Sequence, residues 1–312
     1  ELSLMSDGEI AKKLKNLRVA ARALPSDKSR LVRIAQSLGY VIGMTGDGVN
    51  DAPALKAADV GFAMGSGSDV AKEASDIVIL DDNILSITKA VLYGRTIFKS
   101  IRKFVIYQLT VNMCAVGLSV IAPLMGVNMP ITIIQMLWIN LVMDTLGGLA
   151  FSGEPTRESY MLEKPKSREE NILNKYMVSQ VLWTGIYSLI LCLLFLKMPL
   201  LSGYIRGGQQ GEYFMTGLFA LFMFTAIFNS LNARTHNINL SSHISRNKPF
   251  ILIMSIVFIV QSLMIYIGGN VFRTADLTLS EFIITLMLAF TVIPVDIARK
   301  SVLKKMGKLR GV

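Results

Sequence analysis

Two groups of residues in this sequence have types and spacings that could do chemistry. The first is Thr45-Gly46-Asp47-Gly48-Val49-Asn50-Asp51-Ala52-Pro53. Asp47 and Asp51, four residues apart on a Gly-rich turn, can hold a hard cation such as Mg2+ through oxygen ligands. The glycines let the backbone come close to a phosphate, and the N-terminus of a following helix favours an anion. Lys28, on a separate segment, adds a positive charge for the same phosphoryl group. The second group is Asp144, Asn140 and Asn112. Asp144 is the one ionisable residue near the centre of a long apolar run. A carboxylate at that depth costs about 2.5–3.5 kcal/mol or more, which marks a functional site. Asn140 lies one helical turn before it, on the same face, and Asn112, in the preceding run, is placed to reach the same cavity. Gly147-Gly148 is expected to let this helix unwind and offer backbone carbonyls. Oxygen ligands of this kind suit Ca2+ or another hard cation.

The elements that must position the first group read as alternating helices and strands. Segment 8–18 reads as an amphipathic helix. A second helix is expected over about 27–38, capped by Ser26 or Asp27 and ended by Gly39. Tyr40-Val41-Ile42-Gly43-Met44 has the apolar run of a buried parallel strand. A helix over about 51–57, a strand over 59–64, a helix over 69–74 and a strand over 77–80 follow. This alternation implies a parallel α/β sheet, and such sheets place their sites at the carboxyl ends of the strands, where Asp47 falls. The expected soluble domain is 1–92, and helix 86–103 is expected to run straight into the first span.

The second group belongs to a membrane domain, 93–312. The chain has 312 residues, 52% hydrophobic and 17% charged. That charged share is below the ordinary 25% or so of a soluble domain. Residues 1–103 hold 15 Lys/Arg and 12 Asp/Glu, whereas 104–312 hold 17 and 10, confined to short stretches between apolar runs. A soluble globular protein, a disordered tail and a disulfide scaffold are excluded. Cys114 and Cys192 read as buried free thiols. A crossing needs about 20 apolar residues, and six candidates occur, about 104–126, 131–151, 177–201, 213–231, 250–270 and 281–298. Lys197, Glu281 and Asp296 fall near span ends, where snorkelling or interfacial water would suffice. Segments 152–176, 232–249 and 299–312 hold 14 Lys/Arg against three (Lys197, Arg206, Arg273) on the other side. The positive-inside rule then puts the soluble head and the C-terminus, with its basic tail Lys304 to Arg310, in the cytoplasm. The net charge of +10 therefore reads as membrane topology and not as nucleic-acid binding. His236 and His243 read as loop residues, and Trp138 and Trp183 as packing or interface residues.

The nine-residue string resembles the hinge motif of P-type ATPases, cation pumps with a haloacid dehalogenase-type phosphorylation domain. Arg22-Ala-Leu-Pro-Ser-Asp-Lys28 resembles the family's lysine motif. Ala63-Met64-Gly65-Ser66-Gly67, Ala71-Lys72-Glu73-Ala74-Ser75-Asp76 and Leu80-Asp81-Asp82-Asn83 resemble the stretch leading into the membrane. The resemblance implies a Rossmann-like half-domain followed by an all-α bundle of six transmembrane helices. It implies ATP as substrate and Mg2+ as cofactor, with Asp47 the principal Mg2+ ligand and Asp51 its neighbour. It further implies Asn50 and Lys28 on the phosphate, Arg22 on the nucleotide side, and Thr45 and Gly46 lining the same site. Gln108-Leu-Thr-Val-Asn112, Gln135 to Thr145, Glu154-Pro155 and Asn232-Ala233-Arg234 resemble the plasma-membrane calcium pumps. Relatives with two Ca2+ sites carry further ligands where Ala115, Met143 and Ala226 stand here. The resemblance therefore implies one Ca2+ per cycle, held by Asn112, Asn140 and Asp144, with proton countertransport. It also implies a multi-pass protein of the cell membrane, embedded in the lipid bilayer.

One departure stands out. The family nucleophile is the Asp of Asp-Lys-Thr-Gly-Thr, and no Asp-Lys-Thr occurs in the 312 residues. The chain is read as the C-terminal part of a longer pump, inactive alone, whose partners are the actuator, the nucleotide-binding domain and the first four spans. A pump for Mn2+ or another divalent cation, and a non-catalytic membrane fragment, remain the alternatives.

Overall fold

The computed structural model describes residues 2–127, 129–167, 169–208, 211–242 and 244–307. Arg168, His243, the tail positions Lys308 and Arg310, and the side chain of Met143 lie outside the described residues. The chain divides into two compact units, Glu1–Arg95 with Thr156–Asn171, and Thr96–Pro155 with Ile172–Val312.

The first unit runs α1 (Asp7–Leu14), α2 (Pro25–Ser37), β1 (Gly43–Gly46), α3 (Ala52–Ala57), β2 (Val60–Met64), α4 (Asp69–Ala74) and β3 (Ile77–Ile79). The strands form one parallel sheet in the order β1-β2-β3, with Thr45 opposite Phe62 and Phe62 opposite Ile77. β2 is central and buried, and Leu55, Ala63 and Ala71 pack as a small core on it. Two local expectations need correction. The strand starts at Gly43, and Tyr40 and Val41 are exposed ahead of it. β1 has a ladder partner on one side only, so its run is not buried as a central strand would be. In α2 neither Ser26 nor Asp27 is the cap. Pro25 opens the helix, at the position where its missing N–H costs nothing, and the Asp27 carboxylate accepts the Leu24 N–H at 3.1 Å. Segment 156–171 joins this unit, where the Arg95 guanidinium donates to the Tyr160 and Glu163 carbonyls at 2.6 and 2.8 Å.

The second unit is built from six helices long and apolar enough to cross a membrane. They are α5 (Ile84–Leu124), α6 (Ile133–Ser152), α7 (Lys175–Lys197), α8 (Glu212–Arg234), α9 (Lys248–Ile267) and α10 (Leu279–Lys305). α5 is one 41-residue helix that starts in the first unit, as the sequence predicts. α8 is the hub. Of its apolar window 83% is buried, against 29–44% in the other five, so those five turn apolar side chains outward, as lipid-facing helices do.

Three expectations about this unit fail. Gly147-Gly148 does not unwind α6. Both glycines have helical angles, and the helix widens to π geometry over Leu141–Gly147 instead. The pair serves packing, since a Cβ on Gly147 would press on the Tyr107 ring at 2.9 Å. Asp296 does not rely on interfacial water. It is fully buried, with Arg299 Nε and Lys300 Nζ each at 2.7 Å. Glu281 is likewise buried, accepting the backbone N–H groups of Arg206 and Thr278. His236 lies in the loop after α8, as the sequence predicts. Its ring stands edge-on to Tyr176 at 4.8 Å, and its Nδ1 is buried with no hydrogen-bond partner among the described residues. Cys114 and Cys192 are buried and free.

Candidate functional site

The candidate phosphate site lies immediately after β1. The strand ends at Gly46, a single 3-10 turn covers Val49–Asp51, and α3 starts at Ala52 with Pro53 in its first turn. Asp51 is the anchor of this loop. Its carboxylate takes the Lys28 ammonium at 2.5 Å from α2 and the backbone N–H groups of Asp47 and Gly48 at 3.3 Å. Burial pushes its pKa up, but the Lys28 hydrogen bond and the Gly48 and Asp47 amides outweigh this and hold it below the ordinary carboxylate value. Gly46 is required because a Cβ there would collide with the Asp51 side chain. Asp47 is held differently. Its carbonyl accepts the Ser68 N–H at 2.7 Å, and the residue is exposed at the carboxyl end of the strand. Thr45 and Asn50 are exposed beside it.

The loop therefore brings Thr45, Gly46, Asp47, Asn50, Asp51 and Lys28 together. Arg22 lies elsewhere, on the lining of a cavity of about 520 Å3 with Leu2, Met5, Lys13, Leu24 and Asp27. Mg2+ keeps several waters and binds through one or two carboxylates plus substrate phosphates. One exposed carboxylate, a second already paired to Lys28, and no grouping of three acidic, His or Cys side chains among the described residues fit that chemistry. They do not fit a stand-alone metal site.

The second site lies in the second unit. Asp144 sits inside the π segment of α6 and Asn140 immediately precedes that segment. π segments widen a helix locally and recur at functional sites. The Gln108 Nε2 of α5 donates to Asp144 Oδ1. Asn112, one turn further along α5, is exposed, as are Asn140 and Asp144. Ala115 and Ala226 are both buried and bring no side-chain oxygen.

Comparison with known proteins decides the family. The family model described as cation transporting ATPase, C-terminus, matches residues 128–302, and that of a haloacid dehalogenase-like hydrolase matches residues 34–91. This chain belongs to the cation-transporting ATPases. A plasma membrane calcium-transporting ATPase of Caenorhabditis elegans is 40% identical over 290 residues, covering 88% of this chain and 23% of that protein. Plasma membrane calcium-transporting ATPase 1 of Homo sapiens is 38% identical over 287 residues, 87% of this chain and 23% of that protein. A plasma membrane-type calcium-transporting ATPase of Oryza sativa is 36% identical over 299 residues, 92% and 27% respectively. The chain thus spans about a quarter of the length of these relatives.

Two features of this ATPase chain escape the reading of single residues. Gln108 carries a signal, its i, i+4 spacing to Asn112, but an amide in an apolar run is easily assigned to ordinary interhelical bonding. The buried pair Lys103–Glu154, 2.8 Å apart, ties α5 to the end of α6, and Asn247 Nδ2 donates to the same Glu154 at 3.3 Å. Its partners are 51 and 93 residues apart in the sequence, so no local pattern reveals it.

Proposed function

We propose that the chain forms the C-terminal part of an ATP-driven pump that exports Ca2+ from the cytoplasm, one ion per cycle in exchange for protons. The observation that carries the reading is Asp144 in the widened turn of a membrane-length helix, held by a carboxamide from α5. The plasma membrane calcium-transporting relatives favour Ca2+ over Mn2+ as the ion. Asp144, Asn140 and Asn112 supply the oxygen ligands. Ala115 and Ala226 argue against a second ion.

In this reading the soluble loop handles the phosphoryl group. Lys28 and Asn50 bind its oxygens, and the Thr45 and Gly46 backbone lines the site. Asp47, with Asp51 behind it, would hold Mg2+, which neutralises charge on the phosphate when bound. Arg22 serves the nucleotide side. The nucleophile must come from another segment, because the 312 residues lack Asp-Lys-Thr. They are therefore inactive alone, and the actuator, the nucleotide-binding domain and four further spans complete the pump. α5 is unbroken from Ile84 to Leu124 and can carry motion along its length to Gln108 and Asn112 as a rod. The soluble part and both chain ends face the cytoplasm, and the protein sits in the cell membrane.

The test is phosphoenzyme formation in membranes holding the full gene product, with labelled ATP. An acid-stable, hydroxylamine-sensitive band that requires Ca2+, and that needs far more Ca2+ or fails to form in Asp144→Asn, is expected. A band driven equally well by Mn2+ would change the ion. No band with any metal would leave a non-catalytic membrane protein.

A further inference from the structure

Gln108 is engaged at one end of its amide only. Its Nε2 donates to Asp144 Oδ1, while its Oε1 is buried with no hydrogen-bond partner among the described residues. The orientation of the amide is fixed by that contact, because turning it over would set a carbonyl oxygen against a carboxylate. A buried, unsatisfied acceptor is unfavourable, and each such group in a native protein calls for an explanation. Gln108 and Asn112 are four residues apart on α5, as Asn140 and Asp144 are on α6. Two adjacent spans thus each present a pair of oxygen-bearing side chains, three of them neutral and one charged. A carbonyl oxygen that lacks a donor and lies beside a carboxylate is a ready ligand for a hard cation.

We propose that Gln108 is a further side chain of the cation site. Its amide holds Asp144 through Nε2 and supplies Oε1 to the ion when the amide turns. The proposal rests on the reading of Asp144 as an ion ligand. It makes Gln108 a determinant of selectivity as well as affinity. A cation that takes Asp144 Oδ1 must displace the Gln108 hydrogen bond, and the carbonyl that then faces it rewards hard ions that accept neutral oxygen.

The test uses the full gene product in membranes, with phosphoenzyme formation followed against free Ca2+ and, separately, Mn2+. Four variants are compared with wild type: Gln108→Leu, Gln108→Met, Gln108→Glu and Asp144→Asn. Gln108→Met keeps the length of the side chain and carries the test should Gln108→Leu fail to fold, as judged by its thermal midpoint. Removing the amide is expected to raise the Ca2+ needed for half-maximal phosphorylation at least tenfold and to alter the Ca2+ to Mn2+ ratio. Gln108→Glu cannot donate to Asp144 when ionised, but it offers oxygen to the ion. It should hold Ca2+ at least as well as wild type, with a new dependence on pH. Equal impairment in Gln108→Glu and Gln108→Met would reduce Gln108 to a donor that orients Asp144 and overturn its role as a ligand. Wild-type behaviour of Gln108→Met beside a defective Asp144→Asn would overturn the proposal and leave the ion site standing. Wild-type behaviour of Asp144→Asn would overturn both.

Discussion

Lys28 and Asp51 are the joint on which the 45–53 loop turns. The ammonium reaches the carboxylate across 23 residues of sequence, and the same carboxylate collects two backbone amides of the loop. Because the Lys28 side chain is 37% exposed, solvent screens the pair. Lys28→Met should then cost the loop about 1 kcal/mol, read as roughly fivefold lower hydrogen-exchange protection of the 43–57 amides. A variant as protected as wild type would mean that the amides alone fix the loop. His236 gives the second prediction at this scale. Burial, then the cations Lys103, Lys300, Lys99 and Arg299, push its pKa down to about 3. The unfolded chain therefore takes up a proton near pH 6.5 that the folded chain refuses until about pH 3. The unfolded state binds more protons throughout that window, so stability falls as pH drops below about 6.5. The thermal midpoint of the purified chain should decline between pH 7.5 and 5, and His236→Phe should flatten that decline. An unchanged slope in the variant would assign the acid sensitivity to other groups.

At the scale of the element, α6 sets two neighbouring glycines to different tasks. A Cβ on Gly147 would fall 2.9 Å from Tyr107, a fully buried ring with nowhere to move, whereas one on Gly148 would meet Phe104 at an ordinary 3.7 Å. Gly147→Ala should therefore destabilise the chain by about 1–3 kcal/mol, as overpacking does. Gly148→Ala should be tolerated, or gain slightly from the better helix former. Thermal unfolding in detergent separates the two, and equal midpoints would sink the packing explanation. The pair also shows where sequence reasoning stops. The six helices are legible because hydropathy sums over some 20 residues, and the turn after β1 is legible because a Gly-rich string follows a short apolar run. The π turn is not, since widening by one residue leaves composition untouched. Gly147-Gly148 reads as a weak point in the sequence because glycine marks close approach as readily as it marks a break. The burial of Asp296 leaves no mark in the sequence, because distance from a span end says nothing of Arg299 and Lys300 closing over it. The partners of Gln108, Asp51 and Glu154 lie 36, 23 and 51 residues away, and contacts at such separations leave no periodic trace.

For the molecule as a whole, the decisive quantity is the placement of charge across the bilayer. Three inter-span or terminal segments carry 14 Lys/Arg and the opposite ones three, and basic residues in short loops resist translocation. The buried pair at the end of α6 and the Asp296 cluster near the end of α10 lie on the same basic side by helix order. Arg234, Arg299 and Lys300 of that side are locked into packing, while Lys164, Lys166, Lys175, Arg246, Lys248, Lys304 and Lys305 stand exposed and would all have to be translocated in an inverted insertion. Cysteine substitutions test the orientation, because Cys114 and Cys192 are buried and leave little background. Lys164→Cys and Val271→Cys place exposed thiols on segments of opposite predicted side. On intact cells a membrane-impermeant maleimide should label the thiol at 271 and spare the one at 164, and on opened membranes it should label both. Labelling at 164 on intact cells would put the soluble unit outside. Asp47 and Lys28 would then be cut off from cytoplasmic ATP, and the pump reading would fail along with the topology.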